Sequence, residues 1–231
     1  MSDQFGKGYF DENDHKKSLR VMGLTGVFGL MFIGLLASAF SAFFTLSSPF
    51  MWNLVFGSEF GFWIFLLAPL ALVLFAFPRV WNMAPAPAFL LFIVYALLNG
   101  VTLSVIFLAY DLGTITLAFL SAAGMFGVMA VYGAITKADL SGVGSFLMMG
   151  LFGIIIASIL NWFFASDALD MLISYAGIAI FLGLTAYDVQ RIQRQMAEHP
   201  SAGVMVIGAL HLYLDFLNIF LFLLRLLGRR R

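Results

Sequence analysis

The sequence predicts an all-α membrane protein: a seven-transmembrane-helix bundle with the seventh helix central. Three observations carry this. Of 231 residues, 62% are hydrophobic and only 10% charged, too little polar surface to cover a water-soluble domain. Seven apolar runs have roughly the 20 residues needed to cross about 30 Å of hydrocarbon. The last run carries a polar stripe that has to turn away from lipid.

Residues 1–20 read as a polar cytoplasmic N-terminal tail, ahead of a membrane domain over 21–231. The first run, 21–46, starts too late and is too long for a cleavable signal segment. SSPFMWN separates it from the second, 60–78, in which Pro69 predicts a kink. PRVWNMAPAP precedes the third run, 88–110, and YDLGT precedes the fourth, 115–136. TKADLSG leads to the fifth, 143–165, and ASDALD to the sixth, 171–189. QRIQRQMAEHPSAG then breaks the chain before the seventh, 204–227. Trp52, Trp63, Trp81 and Trp162 fall in breaks or near run ends, as an interfacial aromatic belt requires. Gly23, Gly26 and Gly29, Gly124 and Gly127, and Gly150 and Gly153 read as packing glycines that let helices approach closely.

Orientation follows from the cations. With the N-terminus in the cytoplasm, Lys7, Lys16, Lys17, Arg20, Arg79, Lys137, Arg191 and Arg194 lie inside, and the outer loops between runs hold none. Arg225 and Arg229, Arg230 and Arg231 fall outside if all seven runs cross; a re-entrant last run would bring them in. The length of that run favours a full crossing.

Several function classes drop out. With no cysteine there is no disulfide, thiolate metal site or thiol nucleophile. A formal net charge of zero with no basic stripe argues against nucleic acid. Lys7, Lys16, Lys17 and Lys137 are the only lysines and none lies mid-run, which excludes a retinal protein. No long internal repeat supports an inverted-repeat transporter.

What remains is a short set of ionisable groups at membrane depth, where such groups mark ion paths, proton relays or structural pairs. Asp188 sits at the end of the sixth run, within reach of Arg191 or Arg194. His211 and Asp215 are four apart in the seventh and share a face, which Gly208 and Asn218 extend. Arg225 reads as a residue that snorkels to the interface. Two carboxylates close together in low dielectric share one proton. Losing it leaves two negative charges that repel or recruit a divalent cation such as Ca²⁺, which prefers oxygen ligands. Asp188 reads as shallower than Asp215, which argues against contact unless the last helix protrudes.

TAYDVQRI at 185–192 and HLYLDFLNIFLFLLRLLG at 211–228 resemble the Bax inhibitor-1, or transmembrane Bax inhibitor motif, family in its bacterial form. The resemblance extends to length, polar N-terminus and seven runs. It implies a last helix surrounded by the other six and contact between Asp188 and Asp215 as a proton-sensing gate. It also implies a pH-sensitive Ca²⁺ leak rather than an enzyme, in a bacterial inner membrane. The alternative it implies is a non-conducting modulator of a membrane-bound quality-control protease. No cofactor is implied; Ca²⁺ enters as the permeant ion, held transiently by the aspartates. His211, Asn218, Tyr187 and Tyr213 are the candidate tuning or pore-lining residues. A basic residue of the second helix that contacts the pair in some members has no counterpart, because that run holds no Lys or Arg before Arg79. An intramembrane aspartyl protease matches only at Tyr187–Asp188. Asp215 follows Tyr-Leu rather than Gly-x-Gly, and no Pro-Ala-Leu comes after it.

Overall fold

The computed structural model of the chain describes the backbone of residues 3–228 and the side chains of residues 18–228. The charges at Lys7, Lys16, Lys17 and Arg229 to Arg231 lie outside those described. The backbone forms eight α-helices: α1 (Asp3–Ser47), α2 (Pro49–Phe56), α3 (Glu59–Ala71), α4 (Pro85–Ala109), α5 (Leu112–Ile135), α6 (Ser141–Phe164), α7 (Asp167–Glu198) and α8 (Ala202–Leu227). Seven segments are long and apolar enough to cross a bilayer: Ser18–Ser47, Glu59–Asn82, and the whole of α4, α5, α6, α7 and α8. Large apolar side chains such as Phe40, Phe43, Phe60, Phe146 and Phe163 point outward, which only a lipid solvent makes favourable.

The helix starts follow from capping chemistry. Ser48, Ser58, Asp111, Ser166 and Ser201 each accept a hydrogen bond from a backbone N–H three residues on, satisfying a donor that the helix itself leaves orphaned. The break between the first two spans is not open loop; Ser48 and Pro49 start the short α2 there.

The kink expected at Pro69 takes a specific form. Pro69 has no N–H to give the Phe65 carbonyl four residues back, and an unpaired carbonyl in lipid is expensive. The Thr102 hydroxyl of α4 lies 3.2 Å from that carbonyl and 3.2 Å from the Leu98 carbonyl of its own helix, and its one hydrogen is shared between the two. The chain then widens into a π-helical turn over Leu72–Ala76 and tightens into a 3₁₀ segment over Phe77–Asn82, where Pro78 falls. The second span is therefore three short pieces, the first held against α4 and the 3₁₀ piece against α8.

The largest departure from the sequence reading lies at the other end. The sixth span does not stop near 189; α7 continues to Glu198. Only a tight turn at His199–Ser201 separates it from α8, because a residue before proline avoids the helical region and Pro200 follows His199. α8 is the most enclosed span. Leu212, Tyr213, Ile219 and Val206 on it are fully buried. It packs against α1, α4, α5, α7 and the 3₁₀ segment of the second span, while α6 packs chiefly against α7. The seventh span is thus central without being ringed by all six others.

Of the glycines read as packing positions, three serve that way. A Cβ on Gly23, Gly26 or Gly150 would press into Met196, Met205 or Ile180, whereas Gly29, Gly124, Gly127 and Gly153 face open space. Closer approaches of one span's backbone to another lie elsewhere: a Cβ on Gly100 would run into the Ser38 carbonyl of α1, and one on Gly133 into the Ala186 carbonyl of α7. Neither neighbour is a side chain that could swing away. Gly100→Leu is accordingly expected to cost at least about 2 kcal/mol and to lower the melting temperature of the detergent-solubilised protein by several degrees. Gly127→Leu is expected to leave it within about 0.5 kcal/mol of the parent.

Candidate functional site

Longer α7 changes the depth of its aspartate. Asp188 lies about 15 Å from the turn along α7, and Asp215 about 20 Å from it along antiparallel α8, at 1.5 Å per residue. The two acids reach comparable depth after all, and both are buried, at 7% and 4% exposure.

They line one cavity of about 850 Å³. Its floor is made by α7 and α8, with Tyr187, Asp188 and Arg191 from one and His211, Asp215 and Asn218 from the other. α4 adds Tyr95, Asn99 and Thr102. The second span and α6 add mostly apolar side chains, with Ser158 of α6 the polar exception. The His211 Nδ1 lies 3.7 Å from the Asp188 Oδ1, an electrostatic contact longer than a hydrogen bond. Asp215 is close enough to feel the Asp188 charge, yet no hydrogen bond joins the two among the described residues. Its Oδ2 is fully buried and has no hydrogen-bond partner among the described residues. The acids face one space rather than touch, and His211 stands beside Asp188 instead of Asp215.

The rest of the expected stripe divides. Asn218 lines the cavity and donates its side-chain N–H to the Leu214 carbonyl at 2.8 Å. Gly208 belongs to packing instead, since a Cβ there would meet Ile192 of α7 at 2.9 Å. Tyr213 points to the opposite side of α8, outside the cavity lining. Its hydroxyl is 2.6 Å from the Ser38 Oγ, which in turn donates to the Ala96 carbonyl at 2.7 Å, tying the first, third and seventh spans together. Tyr95 and Asn99 were missed in the sequence reading. Their signal was present, two polar residues four apart in an otherwise apolar run.

The arginines also sort differently from expectation. Arg194 turns from Asp188 to the loop after α5, donating to Asp139 at 2.8 Å, to Gln190 at 2.7 Å and to Ser141 at 3.1 Å. Gln190 donates to the Ala138 carbonyl and accepts from the Leu140 N–H, completing a staple of that loop onto α7. Arg191 faces the cavity without an ion pair to Asp188 among the described contacts. Arg225 does not simply snorkel; it pairs with Asp170 of α7 at 3.2 Å and lies over the Phe222 ring.

The family model described as "Inhibitor of apoptosis-promoting Bax1" matches residues 20–231. The chain belongs to the Bax inhibitor-1 family. It is 40% identical over 211 residues to the inner membrane protein YbhL of Escherichia coli K12, covering 89% of this chain and 90% of that one. An uncharacterized protein of Borreliella burgdorferi is 45% identical over 213 residues, covering 90% and 92%. The uncharacterized protein RP147 of Rickettsia prowazekii is 38% identical over 226 residues, covering 96% and 93%. The relatives match nearly end to end, so the likeness takes in all seven spans of this Bax inhibitor-1 family member.

The staple sets a limit on which acid can respond near neutral pH. The Arg194 guanidinium, with Ser141, holds the Asp139 carboxyl down from 3.8 to about 2. A depressed value means that the pairing contributes in full above the ordinary carboxylate range and is lost only as pH falls through about 2. Asp139→Asn is therefore expected to lower the melting temperature by the same amount at pH 5.5 and at pH 8. A decrement that changes between those values would assign Asp139 a titration in that range.

Proposed function

We propose that the protein is a slow cation leak, with Ca²⁺ as permeant ion, gated by the protonation of Asp188 and Asp215. The observation that carries this is the shared cavity. It brings two carboxylates from different helices to one depth in the bilayer, with one oxygen unpartnered. While the pair holds a proton, its charge is low and the low-dielectric site is stable. When the proton leaves, two negative charges repel, Arg191 at the cavity offsets only one of them, and a hard cation is drawn in by the remainder. The same positions follow from the family resemblance of TAYDVQRI and HLYLDFLN. His211 beside Asp188 stabilises the charged state of that carboxylate whenever the imidazole is itself protonated.

Orientation is part of the reading. Arg20, Arg79, Lys137 and Arg194 all fall at the membrane face where α1 enters, and Arg225 at the opposite face. By the positive-inside rule the N-terminal face is cytoplasmic. YbhL is named an inner membrane protein, and we assign this chain to the same membrane. Nothing in the proposed role calls for covalent chemistry or a bound cofactor.

The test is Ca²⁺ entry into proteoliposomes loaded with a fluorescent indicator, followed from pH 5.5 to pH 8. The parent should show a pH-dependent rate, and Asp188→Asn and Asp215→Asn should each flatten it. Unchanged pH dependence in both variants removes the aspartate gate. No flux at any pH removes the leak itself and leaves the non-conducting modulator of a membrane protease.

A further inference from the structure

The cavity is far larger than a gate for one dehydrated ion requires. At about 850 Å³ it lies in the range of pockets that enclose drug-sized ligands. Its composition is polarised. Leu66 and Leu70 of the second span face Ile155 and Ile159 of α6, and these walls contribute no titratable group. Leu70, Ile155 and Ile159 are also exposed on the outer surface, so the cavity reaches the lipid-facing side between two helices that pack chiefly on other neighbours. The charged groups all sit on the floor.

The groups facing Asp215 can be enumerated. α7 supplies Asp188, Arg191 and Tyr187, α8 supplies His211, and α4 supplies Tyr95. With both acids ionised and the imidazole and phenols neutral, the floor carries a formal charge of minus one. A single positive charge neutralises it, whereas a divalent ion overshoots by one. Asp188 has the His211 ring beside it, while the Asp215 Oδ2 has nothing. A ligand must therefore bring one positive charge and at least one N–H to Asp215, with an apolar body for the walls.

We propose that this cavity binds a lipophilic primary ammonium that enters from the bilayer, its head on Asp215 and its chain between Leu66, Leu70, Ile155 and Ile159. The site shares Asp215 with the proposed leak but does not require that the protein conduct. The ammonium sets its one positive charge and its N–H groups against the carboxylate pair. The single-charge match also gives Ca²⁺ a shallow hold, which suits passage better than retention.

The probe is radiolabelled decylammonium on the protein in nanodiscs of neutral lipid, with empty nanodiscs subtracted. One saturable site per chain is expected at pH 8. Decanol lacks the charge, decyltrimethylammonium lacks the N–H, and decanoate has the wrong sign; each should compete at least tenfold less well. Asp215→Asn should lose at least tenfold in affinity. Ile159→Trp, which fills the wall and leaves the acids alone, should reduce binding even if the aspartate variant does not fold. Binding proportional to lipid, or equal competition by all four amphiphiles, would show partition into the bilayer only and overturn the site. Saturable binding without Ca²⁺ flux leaves the site standing and removes the leak; pH-gated flux without saturable binding removes the site alone.

Discussion

A carboxylate at mid-bilayer depth has to be kept from lipid, and much of this structure follows from keeping Asp215 there. An ionised group exposed to hydrocarbon costs several kcal/mol or neutralises itself. The helix that carries it must therefore be enclosed by others. α8 is enclosed, with α1, α4, α5 and α7 around it. The enclosure is two-sided. One face of α8 is pinned by the Tyr213 hydroxyl on Ser38 and, through it, on the Ala96 carbonyl, with Tyr95 edge-on to the Tyr213 ring. The other face is more loosely covered and carries His211, Asp215 and Asn218 to the cavity wall, with Asp215 still buried. A rigid face makes a loose one tolerable, because the helix cannot rotate to hide its acid.

The openness of that face has its origin in the second span. A straight α-helix there could lie flush along its neighbours. Pro69 prevents this by removing one donor, and the π and 3₁₀ turns that follow keep the chain from recovering α-helical geometry. Thr102 helps make the break tolerable in lipid, since its hydroxyl is shared between its own helix and the carbonyl that Pro69 strands. Thr102, Pro69 and the two aspartates line the same cavity. The residue that repairs the backbone and the residues that carry charge thus belong to one solution of the same burial problem.

Much of this was legible in the sequence, and the parts that were not share a cause. Runs of apolar residues located all seven spans, since hydropathy is a property of single segments. The acids were legible because charge in an apolar run is rare. The end of the sixth span was misread because QRIQRQMAE is polar yet helical; once α7 leaves the apolar layer, composition no longer reports its backbone. The partners of the charges were misread for a related reason. Arg194 is six residues from Asp188 and 55 from Asp139, and it pairs with the distant one because the loop after α5 folds back beside α7. Gly100 and Gly133 were passed over for more regular glycine patterns, since only the crossing point of two helices distinguishes a necessary glycine from a permitted one.

The comparable depth of Asp188 and Asp215 depends on register along the α7–α8 pair, and that register is held at two points between the acids and the turn. At the turn, Pro200 stops α7 and Ser201 starts α8 by accepting the Val204 N–H, which leaves almost no slack between them. One turn of helix from Asp188, Ile192 packs against the bare backbone of Gly208, itself about one turn from His211. A one-residue slip would bring a side chain against Ile192 and turn Asp215 by about 100° away from the cavity. The short turn and the small residue therefore do for the acids what a direct hydrogen bond between them would otherwise do. They hold the two acids at comparable depth on the wall of one cavity.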